Sequence, residues 1–147
     1  MTVIERSALV PYTARQMYDL VNDIERYPEF MSGCLDAQVL ERSGDELVGR
    51  LTLGKAGIRQ SFTTRNRLVP YEMMDMSLVE GPFSRFGARW EFRELTDSAC
   101  KVTLRMEFAF SSGLLGKALK KLFEPTANAL VDDMVRRADS VYSGDSR

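Results

Sequence analysis

The chain has no histidine among its 147 residues. That absence removes the commonest general base near neutral pH and the commonest nitrogen ligand for zinc, copper or iron. Neither a Ser-His-Asp nor a Cys-His catalytic site can be assembled from this chain, and no metal site is expected. Cysteine is nearly as scarce: Cys34 and Cys100 stand far apart and form no CxxC pair. In a reducing compartment such a pair reads as two free thiols. No apolar run approaches the ~20 residues that a membrane-spanning helix needs. The start, Met1 to Arg6, lacks the basic residues and apolar core of a secretory signal. The expected location is the cytoplasm.

Net charge is only −1, but it is unevenly spread. Residues 1–49 carry four Arg and nine Asp or Glu, and residues 50–105 carry ten Lys or Arg against six acids. The remainder balances at six and six. The central section is therefore mildly basic, well short of the excess that marks a nucleic-acid binder. With 44% hydrophobic and 28% charged residues the composition is globular, and the length suits one domain over residues 1–147.

Residues 3–10 read as a first strand, ended by Pro11. Thr13 with Gln16 three residues later is a capping-box signature, opening a helix with Met17, Leu20, Val21 and Ile24 on one stripe. Tyr27-Pro28 should interrupt it, leaving Glu29, Phe30 and Met31 to a second short helix or turn. From about residue 35 to 110 the period changes to two, with turn signals roughly every ten residues. That pattern suits an antiparallel meander. Two strands alternate with particular clarity. Phe86, Ala88, Trp90 and Phe92 oppose Arg85, Arg89, Glu91 and Arg93. Val102, Leu104, Met106, Phe108 and Phe110 oppose Lys101, Thr103, Arg105 and Glu107. Ile58, Phe62 and Leu68 likewise oppose Arg59, Arg65 and Arg67, so one sheet face is dry and the other charged.

After Gly113 the helical period returns. Leu115, Leu119, Leu122, Leu130, Met134, Ala138 and Val141 share one stripe, and Pro125 should kink or split the helix near Glu124. The order is strand, two short helices, about six strands, one long helix. A sheet with one apolar face needs a cover, and only the long helix is large enough.

Three stretches carry a family resemblance: Tyr18 to Phe30, with its Tyr27-Pro28-Glu29-Phe30; Glu80-Gly81-Pro82-Phe83 followed by Trp90-Glu91-Phe92; and Phe108 to Ser112 before the long helix. The chain resembles the coenzyme-Q-binding START-domain family, within the wider polyketide cyclase/dehydrase and lipid transport superfamily. The bacterial branch of ribosome-association toxins is the most similar. Where that family often has proline after Phe30-Met31, this chain has Ser32-Gly33. The resemblance implies an α+β helix-grip fold, a curved antiparallel sheet of about seven strands around the C-terminal helix, with a cavity between them. It also implies two functions. Mitochondrial members resemble chaperones that bind ubiquinone and support respiration. Bacterial members have been assigned that role or binding to the large ribosomal subunit to block subunit joining. No catalytic residue carries over, and no cofactor is required.

The inward parity nominates Phe62, Met74, Met76, Phe86, Trp90, Phe92, Met106 and Phe108 as a sheet wall, with Leu119, Phe123, Leu130 and Met134 opposite. Methionines adapt to a long isoprenoid tail such as that of ubiquinone, though the same side chains equally fill a core. Gln60, Thr64 and Asn66 share the apolar parity and need partners. They orient a head group or sit where the strand meets water. Tyr27, Pro28 and Phe30, and the turn Pro82-Phe83, are candidate portals as well as packed loops. The outer Arg59, Arg65, Arg67 and Arg89 are the candidate RNA contacts on a ribosome-binding reading. Lys117, Lys120 and Lys121 beside Leu114 and Leu115 suit transient contact with an anionic inner-membrane surface, or simple solvation. An enzyme of the cyclase type would need an acid and base inside the grip, and no carboxylate pair is evident there. The expectation is a binding protein rather than an enzyme.

Overall fold

The computed structural model describes residues 1–143. Seven strands form one antiparallel sheet in the order β1-β7-β6-β5-β4-β3-β2. They are β1 (Thr2–Val10), β2 (Cys34–Ser43), β3 (Glu46–Lys55), β4 (Ile58–Val69), β5 (Met73–Glu80), β6 (Phe83–Thr96) and β7 (Ala99–Phe110). Helix α1 (Ala14–Asn22) and a 3-10 helix (Ile24–Glu29) follow β1, and α2 (Leu114–Tyr142) follows β7. This is the α+β helix-grip arrangement.

The alternation of β6 and β7 does what its pattern dictates. Ala88, Trp90, Phe92, Cys100, Val102, Leu104, Met106 and Phe108 are all buried between sheet and helix. Bulges in β2, β5 and β6 interrupt the ladders, and bulges of this kind bend a sheet and raise its twist. Beyond Ser77 and Gly87 the β5–β6 hairpin is no longer paired, so it opens toward its tip at Gly81-Pro82.

The capping box at α1 is complete, with the Thr13 side chain accepting from the Gln16 N–H and the Gln16 side chain from the Thr13 N–H. The second short helix lies earlier than its sequence suggests. The break falls at Asp23, and Pro28 sits inside the 3-10 helix. The ring's fixed φ is close to the 3-10 value, so a short helix absorbs it. Tyr27 is buried there, its hydroxyl donating to the Val21 carbonyl.

Pro125 does not split α2, which runs unbroken from Leu114 to Tyr142. Two neighbouring carbonyls take side-chain donors: Thr126 Oγ1 donates to Leu122 O at 3.5 Å and Asn128 Nδ2 to Glu124 O at 3.1 Å. The buried stripe starts at Gly116 and Leu119, so Leu115 is not part of it. Gly116 fits where no side chain could, since a Cβ there would lie 1.7 Å from Ser111 O. Ile58 is also not inward-packed, because it closes the β3–β4 turn at the sheet's end.

Polar contacts pin α2 to the rest. Arg6 donates to Asn128 Oδ1 at 2.7 Å, Arg137 to Glu29 Oε1 at 2.9 Å, and Tyr142 to Gln16 O at 2.9 Å. Arg137 also lies over the Phe30 ring, 5.1 Å from its centroid. Among the described residues no helix is long and apolar enough to cross a membrane.

Candidate functional site

The grip interior divides into an aromatic half, a methionine-rich middle and a second aromatic group. The first half is built from β4, β6, β7 and α2. Phe83 stands at its centre, 4.6 Å from Phe110 in a stacked pair and 5.0 Å from both Phe86 and Phe123. Phe62 lies 5.7 Å and Phe108 4.8 Å from Phe123, edge to face. Offset and edge-to-face rings of this kind attract beyond their buried area.

Ten of the twelve residues expected to line the grip are buried, and Met76 and Phe86 are half-buried against the same core. They converge, but the chamber expected between sheet and helix is filled by the side chains themselves. Among the described residues, a space of ≈ 10 Å³ lies in the interior beside Leu53, Gln60, Phe62, Pro82, Phe83, Phe110, Leu119, Leu122 and Phe123. That is about the room one water needs. A larger ligand enters only as phenylalanines move. Phe110 stands last in the inward set of β7 and belongs to this cluster, although sequence reasoning left it out of the wall. Leu53 and Leu122 were missed in the same way.

The middle holds the polar feature of the inner wall. Asn66 is only 1% exposed, and Thr64 is buried beside it. Thr64 Oγ1 donates to Asn66 Oδ1 at 2.8 Å, and Asn66 Nδ2 reaches Met74 Sδ at 3.7 Å. A thioether is a weak acceptor, so the Asn66 amide has donor capacity that the protein uses poorly. The register places Met74 opposite Trp90, and Asn66 opposite Leu47 and Met76. Met74 thus stands on β5 between the Asn66 amide and the one tryptophan, which lies parallel to Phe92 at 6.3 Å. The second aromatic group continues through Phe92 to Tyr18 at 5.7 Å, and Tyr18 to Tyr71 at 5.5 Å. Tyr18 sits on a helix and Tyr71 in a turn, so no strand parity pointed to either.

The two candidate portals are not brought together. Pro82 and Phe83 adjoin Leu119 to Phe123, whereas Phe30 lies under Arg137. Fourteen helical residues separate Phe123 from Arg137, about 21 Å along the axis. Pro28 is exposed and Tyr27 buried. The ≈ 10 Å³ space therefore opens toward Pro82-Phe83, not toward Tyr27.

The outer arginines are less free than their sequence suggests. Arg65 pairs with Glu46 at 3.2 Å, and Asp75 holds both Arg67 at 3.6 Å and Arg89 at 3.4 Å. Exposed pairs of this kind contribute little stability, but they neutralise the face. Arg59 alone of the four has no ion pair among the described residues. Both cysteines are free and buried, and burial pushes each thiol up to about 11. Among the described residues Asp133 is the one buried charged side chain, and Arg136 and the Ser32 N–H hold it.

The model of the family described as "Polyketide cyclase / dehydrase and lipid transport" matches residues 10–135. The chain is 46% identical over 142 residues to the ribosome association toxin RatA of Vibrio cholerae, covering 97% of this chain and 99% of that protein. It is 20% identical to the mitochondrial coenzyme Q-binding protein COQ10 of Dictyostelium discoideum, over 94% of this chain and 69% of the other. The crystal structure of the Zhui aromatase/cyclase from Streptomyces superposes with a TM-score of 0.82. At 16% identity, over 97% of this chain and 98% of that one, it shares the fold. By sequence and by architecture, the chain belongs to the polyketide cyclase/dehydrase and lipid transport family and groups within it with proteins named RatA.

Proposed function

We propose that the grip binds an apolar lipid with a carbonyl-bearing head, ubiquinone being the best fit, and shields it from water for respiratory electron transport. The observation that carries this reading is the Thr64–Asn66 pair, buried among apolar neighbours that include Leu47, Leu68 and Met74. A core that only packs gains nothing from an amide whose donor faces a sulfur, because buried polar groups are costly without good partners. A quinone carbonyl is a stronger acceptor than Met74 Sδ. Met74, Met76, Met106 and Met134 offer flexible, polarizable contacts for an isoprenoid tail. Burial of that tail supplies roughly 25 cal/mol per Å². Part of this offsets the displacement of the phenylalanine cluster. The reading is that of a cytoplasmic carrier, peripheral to the membrane, and not of an enzyme. The buried charge, Asp133, is occupied in holding a loop. The experiment is uptake of ubiquinone from detergent micelles by wild type and Asn66→Leu, followed by extraction. Stoichiometric uptake by wild type that weakens about tenfold in the variant supports the reading, and no uptake by wild type overturns it.

A second reading, association with the large ribosomal subunit, is favoured by the 46% identity to a protein named for it. Arginine contacts to rRNA phosphates would supply salt-sensitive affinity. On this reading, charge reversal at Arg65, Arg67 and Arg89 abolishes co-sedimentation with large subunits and spares lipid uptake. Co-sedimentation that survives those changes removes the sheet face as the docking surface.

A further inference from the structure

We infer that the phenylalanine end of the grip is a docking face for an anionic lipid bilayer, with Leu114 and Leu115 as its inserting residues. The inference rests on the lipid-carrier reading and assigns the surface through which cargo passes.

The antiparallel register gathers three turns at one end of the sheet. Lys55 pairs with Ile58, Thr63 with Glu80, and Phe83 with Phe110, so the β3–β4 turn, the β5–β6 turn and the β7–α2 link lie together. The ≈ 10 Å³ space in the aromatic cluster lies toward this end, lined by Pro82 of the β5–β6 turn, by Leu53, Gln60 and Phe110 within two residues of the other two segments, and by Leu119, Leu122 and Phe123 of α2. This end is also where the β5–β6 hairpin is unpaired. It is the weak point of the grip.

Two properties of this end match a bilayer. Leu114 is 86% and Leu115 72% exposed, although they open a helix whose following leucines are buried. Large aliphatic side chains this exposed, side by side at the mouth of an apolar interior, gain from entering an acyl layer. Charge is the other property. Residues 54–59, 79–85 and 111–121 carry six cations (Lys55, Arg59, Arg85, Lys117, Lys120, Lys121) and one carboxylate, Glu80. Of the six, only Lys120 has an ion pair, with Glu124 at 3.8 Å, among the described residues. A groove of ≈ 500 Å³ runs beside them, lined by Lys117, Lys120, Lys121, Glu124, Pro125 and Asn128. It offers lysine ammonium groups at the depth where lipid phosphates sit when Leu114 and Leu115 are inserted. At the opposite end the sign reverses. The turns at 11–15, 42–46, 69–73 and 93–99 carry three arginines and five acids. The molecule is therefore polarised, with its apolar mouth at the positive pole, and an anionic surface orients it mouth-down. RNA would use the lysines but has no use for two exposed leucines.

The test is flotation of the full-length protein with vesicles of phosphatidylcholine alone and of phosphatidylcholine with added phosphatidylglycerol. Binding is expected to the anionic vesicles and to weaken as salt rises. Leu114→Glu with Leu115→Glu, and separately Lys117→Gln with Lys120→Gln and Lys121→Gln, should each reduce it about tenfold or more. Arg65→Glu with Arg67→Glu should leave it unchanged. All the substituted side chains are exposed, so a thermal melt should not move, and the variants remain folded. Equal partition into neutral and anionic vesicles, or binding insensitive to the leucine and lysine changes, overturns the assignment. So does retention on ribosomal RNA, lost in the lysine variant, without vesicle binding. Ubiquinone uptake from detergent, which needs no bilayer, separates failure of this face from failure of the interior site.

Discussion

The backbone N–H of Ser32 donates to Oδ2 of Asp133 at 2.9 Å, joining the loop before β2 to the middle of α2 across 101 residues of sequence. Gly33 follows with φ +78, and a Cβ there would lie 2.7 Å from Thr126 Oγ1, so the loop rests directly on the helix. Proline at this position would have no N–H to give. Ser32→Pro should therefore cost about 1–3 kcal/mol, the range for a hydrogen bond to a charged group plus its unpaired partner. Asp133→Ala should cost a similar amount. Urea denaturation of both variants checks this, and wild-type midpoints would show that the contact holds nothing.

Asn66 is expected to read the head of the ligand, not its tail. Asn66→Leu should lower affinity for ubiquinone about tenfold, the worth of one good hydrogen bond, and leave affinity for a head-less isoprenoid such as squalene unchanged. Competitive extraction of the two lipids from one sample measures the ratio. Equal loss of both lipids would instead indicate a packing defect.

Phe123 touches Phe62, Phe83, Phe86, Phe108 and Phe110 at ring-centroid distances from 4.8 to 6.3 Å. Phe123→Ala should destabilise the empty protein by about 3–5 kcal/mol, the usual cost of a large buried cavity. An apolar ligand entering at this end fills the space. Added quinone should therefore raise the variant's melting temperature more than the wild type's, as differential scanning calorimetry will measure.

The buried thiols give an alkaline signature. Burial raises Cys34 and Cys100 from an ordinary 9.0 to about 11. The native state holds these protons more tightly than the unfolded chain, so their contribution is complete below pH 9 and lost as pH rises toward 11. Urea midpoints should fall across that window, and less so in Cys34→Ala with Cys100→Ala. At pH 8 a disulfide reagent should label both thiols slowly in the native protein and rapidly in denaturant.

The residues explain why some features were legible before the structure and others were not. Strict alternation in β6 and β7 had a single physical reading, since a one-residue slip would expose every apolar side chain. The Thr13–Gln16 box likewise marked its helix start unaided. Pro28 misled because a 3-10 geometry accepts its fixed φ, and Pro125 because a proline inside a long helix need not end it. Leu115 and Ile58 have the right period but lie at element ends, where the face they share with buried neighbours has nothing left to pack against. The neutralised arginine face required register. Asp75 stands opposite both Arg67 and Arg89 only because β5 lies between β4 and β6. The filled interior was the least legible feature. Parity says which way Phe62, Phe83 and Phe123 point, but not whether their rings meet.

The most direct test is native mass spectrometry, with organic extraction, of protein purified from a quinone-producing host. One ubiquinone per chain is expected in wild type, and none in Met106→Arg, whose charge would sit in the tail-binding wall. Met106 is only 4% exposed and a buried unpaired charge is costly, so a thermal melt accompanies this variant, and Asn66→Leu, which adds no charge, serves as the second one. A wild-type protein that comes out empty and takes up no added quinone would contradict the lipid-binding reading and leave ribosome association as the function to pursue.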